Sequence, residues 1–316
     1  MAEFDPRRGD VTPQTDVLRS DLIEVGMDRR AALRLALLGV GAGALALAGC
    51  GDAEKEKPVE RFASEPSWQQ DFATMPDGPV DPSLWNIKLG PENYDGAGEQ
   101  IYTDKPTNVA IRGGRLVITA LEQTISGKPF TSARIDTAGN QSFGYGRMVI
   151  KARMPKGRGP HVGLWMRRAP KPGEEAGKPS EVYGEIDIAE HVGVNGDRIY
   201  ANLHTNATRK AGIEGIVTQT DKDGTETPGC SDRFIEYTVE RTAEGVAFFI
   251  DGKPNGFYKP PEGPNDENWP FGADDDYYLI LNMAIGDRWG GKDGVDTESD
   301  PWQLEIEHAK FYPALT

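Results

Sequence analysis

Gly184-Glu185-Ile186-Asp187-Ile188-Ala189-Glu190 places three carboxylates within six residues, separated by apolar side chains. A β-strand alternates its faces with period two, so Glu185 and Asp187 share a face, while on a regular strand Glu190 falls on the other. One extra residue restores the parity. A β-bulge near Ile188-Ala189 turns all three acids to the same surface, and bulges are over-represented beside active sites. Reading this stretch as a strand decides the fold, because short β-rich runs of the same kind recur on both sides of it. Val109-Ala110-Ile111 and Leu116-Val117-Ile118-Thr119 flank Gly113-Gly114, and the run 246–250 leads into Asp251-Gly252; both dipeptides are hairpin signals. Further strands are predicted at 145–154, 161–167, 183–190, 199–204, 235–241, 277–285 and 304–312. With no amphipathic helix and no internal repeat, residues 67–316 read as one all-β sandwich domain.

The chain has 316 residues, 37% of them hydrophobic, and a formal net charge of −15. That length supports a single buried core. The acidic balance argues against nucleic acid as a partner, because phosphate binding needs a basic footprint; a neutral or cationic polymer approaches more easily. Cys50 and Cys230 are the only cysteines, so no disulfide framework is implied.

Residues 1–26 are polar and predicted to be disordered, or to precede the true start at Met27. Asp28-Arg29-Arg30 and the apolar run 31–48 resemble a twin-arginine export signal, and Leu47-Ala48-Gly49-Cys50 resembles a bacterial lipobox whose cysteine is acylated. The run is short for a membrane span and carries Arg34 inside it. Residues 51–66, rich in Lys, Glu and Pro, read as a tether. The expectation is an exported cell-envelope lipoprotein, bound to the membrane only through lipid on Cys50.

Side-by-side carboxylates suit glycoside hydrolysis, where one attacks the sugar and the other protonates the leaving oxygen. The motif Glu185-Ile186-Asp187-Ile188-Ala189-Glu190 resembles the bulged, laminarinase-like signature of family 16 glycoside hydrolases. Phe130-Thr131-Ser132-Ala133-Arg134-Ile135, Tyr145-Gly146-Arg147, Leu164-Trp165-Met166, Asn202-Leu203-His204 and the segment 279–286 resemble family segments in family order. The likeness runs from about Trp68 to Tyr312. It implies a concanavalin A-like β-jelly roll with a cleft for polysaccharide, and an endo-β-glycosidase acting with retention on a β-1,3-glucan-like polymer. Glu185 is then the nucleophile, Glu190 the general acid/base with a raised pKa, and Asp187 the group that tunes both. A transglycosylase of the cell envelope and a non-catalytic carbohydrate-binding lipoprotein are the alternatives.

The resemblance further implies sugar contacts at Trp165, Trp289, Asn282, His204, Tyr183 and Arg134. His204 reads equally well as a core histidine, and Arg134 and Arg147 as braces of the sheet. Departures include Pro179-Ser180-Glu181-Val182-Tyr183 in place of the family's Trp-Pro, and Gly98-Glu99 in place of Asn-Glu. They weaken the assignment to ordinary β-1,3-glucan. The loops 169–179 and 260–273 would wall the cleft. No organic cofactor is required. The resemblance offers Glu307 as a ligand for a structural Ca2+, whereas Asp274-Asp275-Asp276 reads as a solvated loop. A monomer is expected.

Overall fold

The computed structural model describes residues 60–91, 98–171, 173–174, 182–206, 216–217, 224–260 and 269–315. The expectations for Cys50, the export segment and most of the tether lie outside the described residues, as do 172, 175–179 and 261–268 of the two loops.

Two antiparallel-dominated sheets make up the body. The larger runs in the order Lys253–Tyr258, Gly245–Ile250, Ile235–Thr242, Gly146–Arg153, Trp302–Pro313, Arg115–Ile125, Lys128–Ser132, Gln100–Tyr102 and Gly90–Pro91. Trp68–Asp71 joins it along Trp302–Pro313, and Val109–Arg112 along Arg115–Ile125. The second sheet has the order Ile216–Val217, Arg198–Thr205, Gly184–Val192, Pro160–Arg168, Tyr277–Ile285, Arg134–Asp136 and Asn86–Ile87, with Thr225–Glu226 paired to Arg198–Thr205.

The predicted hairpin turns form for a backbone reason. Gly113 and Gly114 have φ of 54° and 74°, and Asp251 and Gly252 have 47° and 70°. A type I′ turn needs positive φ at both central residues, which glycine and aspartate tolerate. Ser126-Gly127, with φ of 50° and 79°, makes a third such turn that the sequence reading passed over.

Period two then sorts the second sheet. Val162, Leu164 and Met166 face the shared core with Ile186, Leu203, Leu279, Leu281 and Met283. The larger sheet supplies Leu116, Ile118, Met148, Ile150, Leu304 and Ile306 to that core. The intervening residues of the second sheet, among them His161, Trp165, Glu185, Asn202, His204 and Asn282, are therefore turned the other way.

The body begins earlier than the expected boundary at 67. Ala63 N–H donates to the Pro313 carbonyl and Leu315 N–H to that of Arg61, both at 2.9 Å. Phe62, 7% exposed, lies under the Arg147 guanidinium at 4.5 Å. Arg61 adds an ion pair to Glu244 at 2.8 Å. Arg147 also pairs with Glu240 at 2.6 Å, so it braces the larger sheet.

Candidate active site

The bulge lies where parity requires it. On one side of the acid-bearing strand Trp165 opposes Asp187 and Leu164 opposes Ala189, which leaves Ile188 without a partner. On the other side Asp187 opposes Asn202 and Glu190 opposes Tyr200, three steps against two. Ile186, Ile188 and Ala189 all enter the core. The extra core residue is what brings Glu190 onto the face of Glu185 and Asp187.

Each acid has its own donors. The Tyr183 hydroxyl donates to Glu185 Oε2 at 2.5 Å. His204 Nε2 lies 2.9 Å from Asp187 Oδ2 and 3.9 Å from Glu185 Oε1. The Asp187 contact is close but lacks good hydrogen-bond geometry at Oδ2. Asn202 Nδ2 donates to Glu190 Oε2 at 2.6 Å, while His161 Nε2 sits 3.1 Å from Glu190 Oε1. The other ring nitrogen of His161 lies 2.5 Å from Asp287 Oδ2. Asp287 Oδ1 in turn accepts the backbone N–H groups of Trp289 and Gly290, at 3.1 and 2.5 Å.

These surroundings decide where protons reside. Burial, reinforced by the charges of Glu190 and Glu185 and opposed by His204, pushes Asp187 up to about 8. Burial would neutralise His204, but Asp187, Glu185 and Glu190 outweigh it and raise the ring to about 9. His161 is buried as well, yet Asp287 and Glu190 lift it to about 10. Burial acts to raise Glu190, but the hydrogen bond and charge of His161 prevail and hold it below its ordinary value. The expected raised pKa of Glu190 is thus overturned. Three neighbouring acids do share a proton, as like charges must, and Asp187 holds it because burial and the charges of Glu190 and Glu185 outweigh His204.

Trp165 is half-buried, its Nε1–H donating to Asn282 Oδ1 at 2.7 Å and its ring lying 5.0 Å from the Arg134 guanidinium. Gly163 makes room for this pair, since a Cβ there would come within 2.8 Å of Trp165 Cδ1 and 2.9 Å of Asn282 Oδ1. Trp289 packs edge-on against His161 and Tyr200, with centroid distances of 5.1 and 4.6 Å. Tyr183 corrects an expectation: it is 3% exposed with its hydroxyl on Glu185, so it positions that carboxylate and offers no surface to a sugar.

His161, Asp287 and Asn202 are the site residues that sequence reasoning missed. His161 and Trp165 share strand parity, as do Asn202 and His204, so a face-by-face reading could have found two of the three. Asp287 lies in the loop after Tyr277–Ile285, where no period applies.

Among the described residues one cluster of three metal-capable side chains occurs, Glu185, Asp187 and His204, with ligand atoms within 4.8 Å of one another. All three belong to the acid-bearing site just described. The surroundings of Glu307 do not suit Ca2+: its carboxylate lies 2.8 Å from Lys151 Nζ, and a hard dication would have to displace that ammonium. The solvated reading of Asp274–Asp276 is also corrected at its centre, because Asp275 is buried against Arg168 at 2.8 Å and Lys171 at 3.0 Å.

Three acids on one sheet face, two of them with separate donor sets and a tryptophan beside them, define a carbohydrate-cleaving carboxylate site of the kind used by glycoside hydrolases. Residues 97–303 match the family described as glycosyl hydrolases family 16, and the chain belongs to that family. It is 34% identical over 252 residues to a beta-glucanase of Rhodothermus marinus, covering 78% of this chain and 84% of that enzyme. The solved laminarinase of R. marinus superposes with a TM-score of 0.71 at 32% identity, over 81% of this chain and 99% of that one. SCLam, described as a non-specific endo-β-1,3(4)-glucanase, gives 0.69 at 26% identity, over 81% and 94%. The two-sheet sandwich is the jelly roll of these relatives.

Proposed function

We infer that the chain is an endo-β-1,3-glucanase of the laminarinase type, cleaving its polysaccharide with retention of configuration. The bulge that gathers Glu185, Asp187 and Glu190 on one face carries this reading, and the likeness to the R. marinus beta-glucanase supports the substrate. Glu185, oriented by Tyr183, attacks the anomeric carbon while Glu190 gives a proton to the departing glycosidic oxygen. A glycosyl ester forms on Glu185. Water deprotonated by Glu190 then attacks the ester, and the second inversion restores the β-configuration. Asp187, holding a proton at neutral pH, keeps a third negative charge away from the two working carboxylates. The Trp165 ring gives the apolar face of a pyranose a flat surface, and Asn282 fixes that ring.

The test is release of new reducing ends from laminarin, mixed-linkage glucan, agarose, carrageenan and β-galactan, with Glu185→Gln in parallel. Oligosaccharides from laminarin, absent in the variant, are expected. Cleavage of a galactan but not of laminarin would sink the substrate assignment.

We also propose that the chain is exported and acts as a monomer anchored through Cys50. The Arg29-Arg30 pair, the apolar run 31–48, the sequence Leu47-Ala48-Gly49-Cys50 and the polar stretch after it support the export and the anchor. Radiolabelled fatty acid should enter the wild type and not Cys50→Ala. An unlabelled, unprocessed wild type would refute the anchor.

A further inference from the structure

We propose that His161 is a positioning residue that works through Glu190: fixed by Asp287, it carries the proton that Glu190 passes to the leaving oxygen, so that Asp287, His161 and Glu190 form one relay. This rests on the reading of Glu190 as the acid/base.

The geometry carries the argument. Both oxygens of Glu190 are engaged, Oε2 by the Asn202 amide and Oε1 by His161 Nε2. An amide donates a hydrogen bond but cannot surrender its proton, whereas an imidazolium can. The proton that reaches the leaving group through Glu190 therefore has its store on His161 Nε2. The opposite ring nitrogen meets Asp287 Oδ2, and the second oxygen of Asp287 is tied by two backbone N–H groups, so the imidazole has a fixed anchor. Trp289 packs edge-on against the ring.

Charge and atoms balance. Before attack, Glu185 is anionic and the pair is His161 imidazolium with Glu190 carboxylate. The Nε2 proton moves to Glu190 and on to the glycosidic oxygen as the C–O bond breaks, and Glu185 becomes a neutral ester. The negative charge has moved from Glu185 to the His161–Glu190 pair. In the second half-reaction the water proton returns to that pair as hydroxide oxygen bonds to the anomeric carbon and the ester breaks.

The groups facing His161 are Glu190 from the acid-bearing strand and Asp287 from the following loop, with His191 more distant and buried. Behind Glu190 stand Asp187, Glu185 and His204. The Asp287 loop also carries Arg288, Lys292 and Asp293, and Glu99 packs against Gly286 at its start. Two carboxylates beside one ring retain its proton to about 10, so the relay stays loaded at neutral pH.

The experiment is the pH dependence of kcat/KM for full-length wild type, His161→Gln and Asp287→Asn, on laminarin and on a 2,4-dinitrophenyl β-laminarioside whose leaving group needs no proton. In His161→Gln the alkaline limb on laminarin should move down by at least about one pH unit, with a loss of roughly 10- to 100-fold, within the usual range for acid catalysis. The loss on the dinitrophenyl substrate should be far smaller. Asp287→Asn should shift the limb in the same direction by less, and it keeps the test open if His161→Gln does not fold. Equal losses on both substrates with unmoved limbs would show a merely structural histidine and overturn the relay. Glu190→Gln separates the two ideas: full activity on laminarin there would remove the acid/base reading itself, whereas an inactive Glu190→Gln beside an unshifted His161→Gln would remove the relay alone.

Discussion

Glu185 and Glu190 are the same side chain at opposite ends of one bulge, yet their surroundings differ in kind. Glu185 accepts a neutral phenolic O–H from Tyr183, and its histidine stands 3.9 Å away. Glu190 accepts an amide and an imidazole, and the imidazole is backed by Asp287. A neutral donor steadies a carboxylate without offering it a proton that moves readily at neutral pH, which suits a nucleophile. A cationic ring with its own carboxylate anchor can exchange a proton, which suits an acid/base. In the proposed mechanism donors, more than the acids themselves, divide the labour along this strand.

The largest effects should come from erasing that division. Glu185→Gln should lower kcat by at least about 10³-fold whatever the leaving group. Glu190→Gln should cost on the order of 10²–10⁴-fold on laminarin and much less on a dinitrophenyl glycoside. Equal behaviour of the two variants across leaving groups would erase the contrast. A middle effect is expected at Trp165, the proposed sugar platform: Trp165→Ala should raise KM several-fold to about tenfold with a smaller change in kcat, in line with about 0.5–1.5 kcal/mol for an aromatic contact.

The buried acid between the two ends gives a pH prediction. Asp187 has a folded-state pKa raised from 3.8 to about 8, so its contribution to stability is fully present below about 4 and is lost as pH rises through about 8. Asp187→Asn cannot titrate there. Thermal melts from pH 4 to 9 should show the wild type losing Tm relative to Asp187→Asn as pH rises; a constant difference would mean Asp187 is charged throughout. The smallest effect is expected at the Lys151–Glu307 pair, whose side chains are 34% and 31% exposed. Lys151→Met should change stability by about 0–1 kcal/mol and leave activity unchanged.

Much of this was legible in sequence wherever a period or a motif applied. The strand of acids, its bulge and the Gly-Gly and Asp-Gly hairpins follow from parity and from the demand for positive φ. Strands of two residues, such as Asn86–Ile87 and Gly90–Pro91, are too short to carry a period. The hold of Phe62 on the chain end depends on a partner about 250 residues away. The raised pKa expected of Glu190 fails for a similar reason: the three acids of one strand are visible in sequence, whereas His161 and Asp287 approach Glu190 from another strand and a loop.

The division of roles is tested most directly by trapping the covalent intermediate. The protein would be incubated with a 2-deoxy-2-fluoro-β-laminarioside bearing a dinitrophenyl leaving group, digested, and the sugar-bearing peptide sequenced by mass spectrometry. The sugar should be esterified to Glu185, in the peptide that also contains Asp187 and Glu190. A label on Glu190 or Asp187, or hydrolysis with inversion and no labelled peptide, would contradict the assignment.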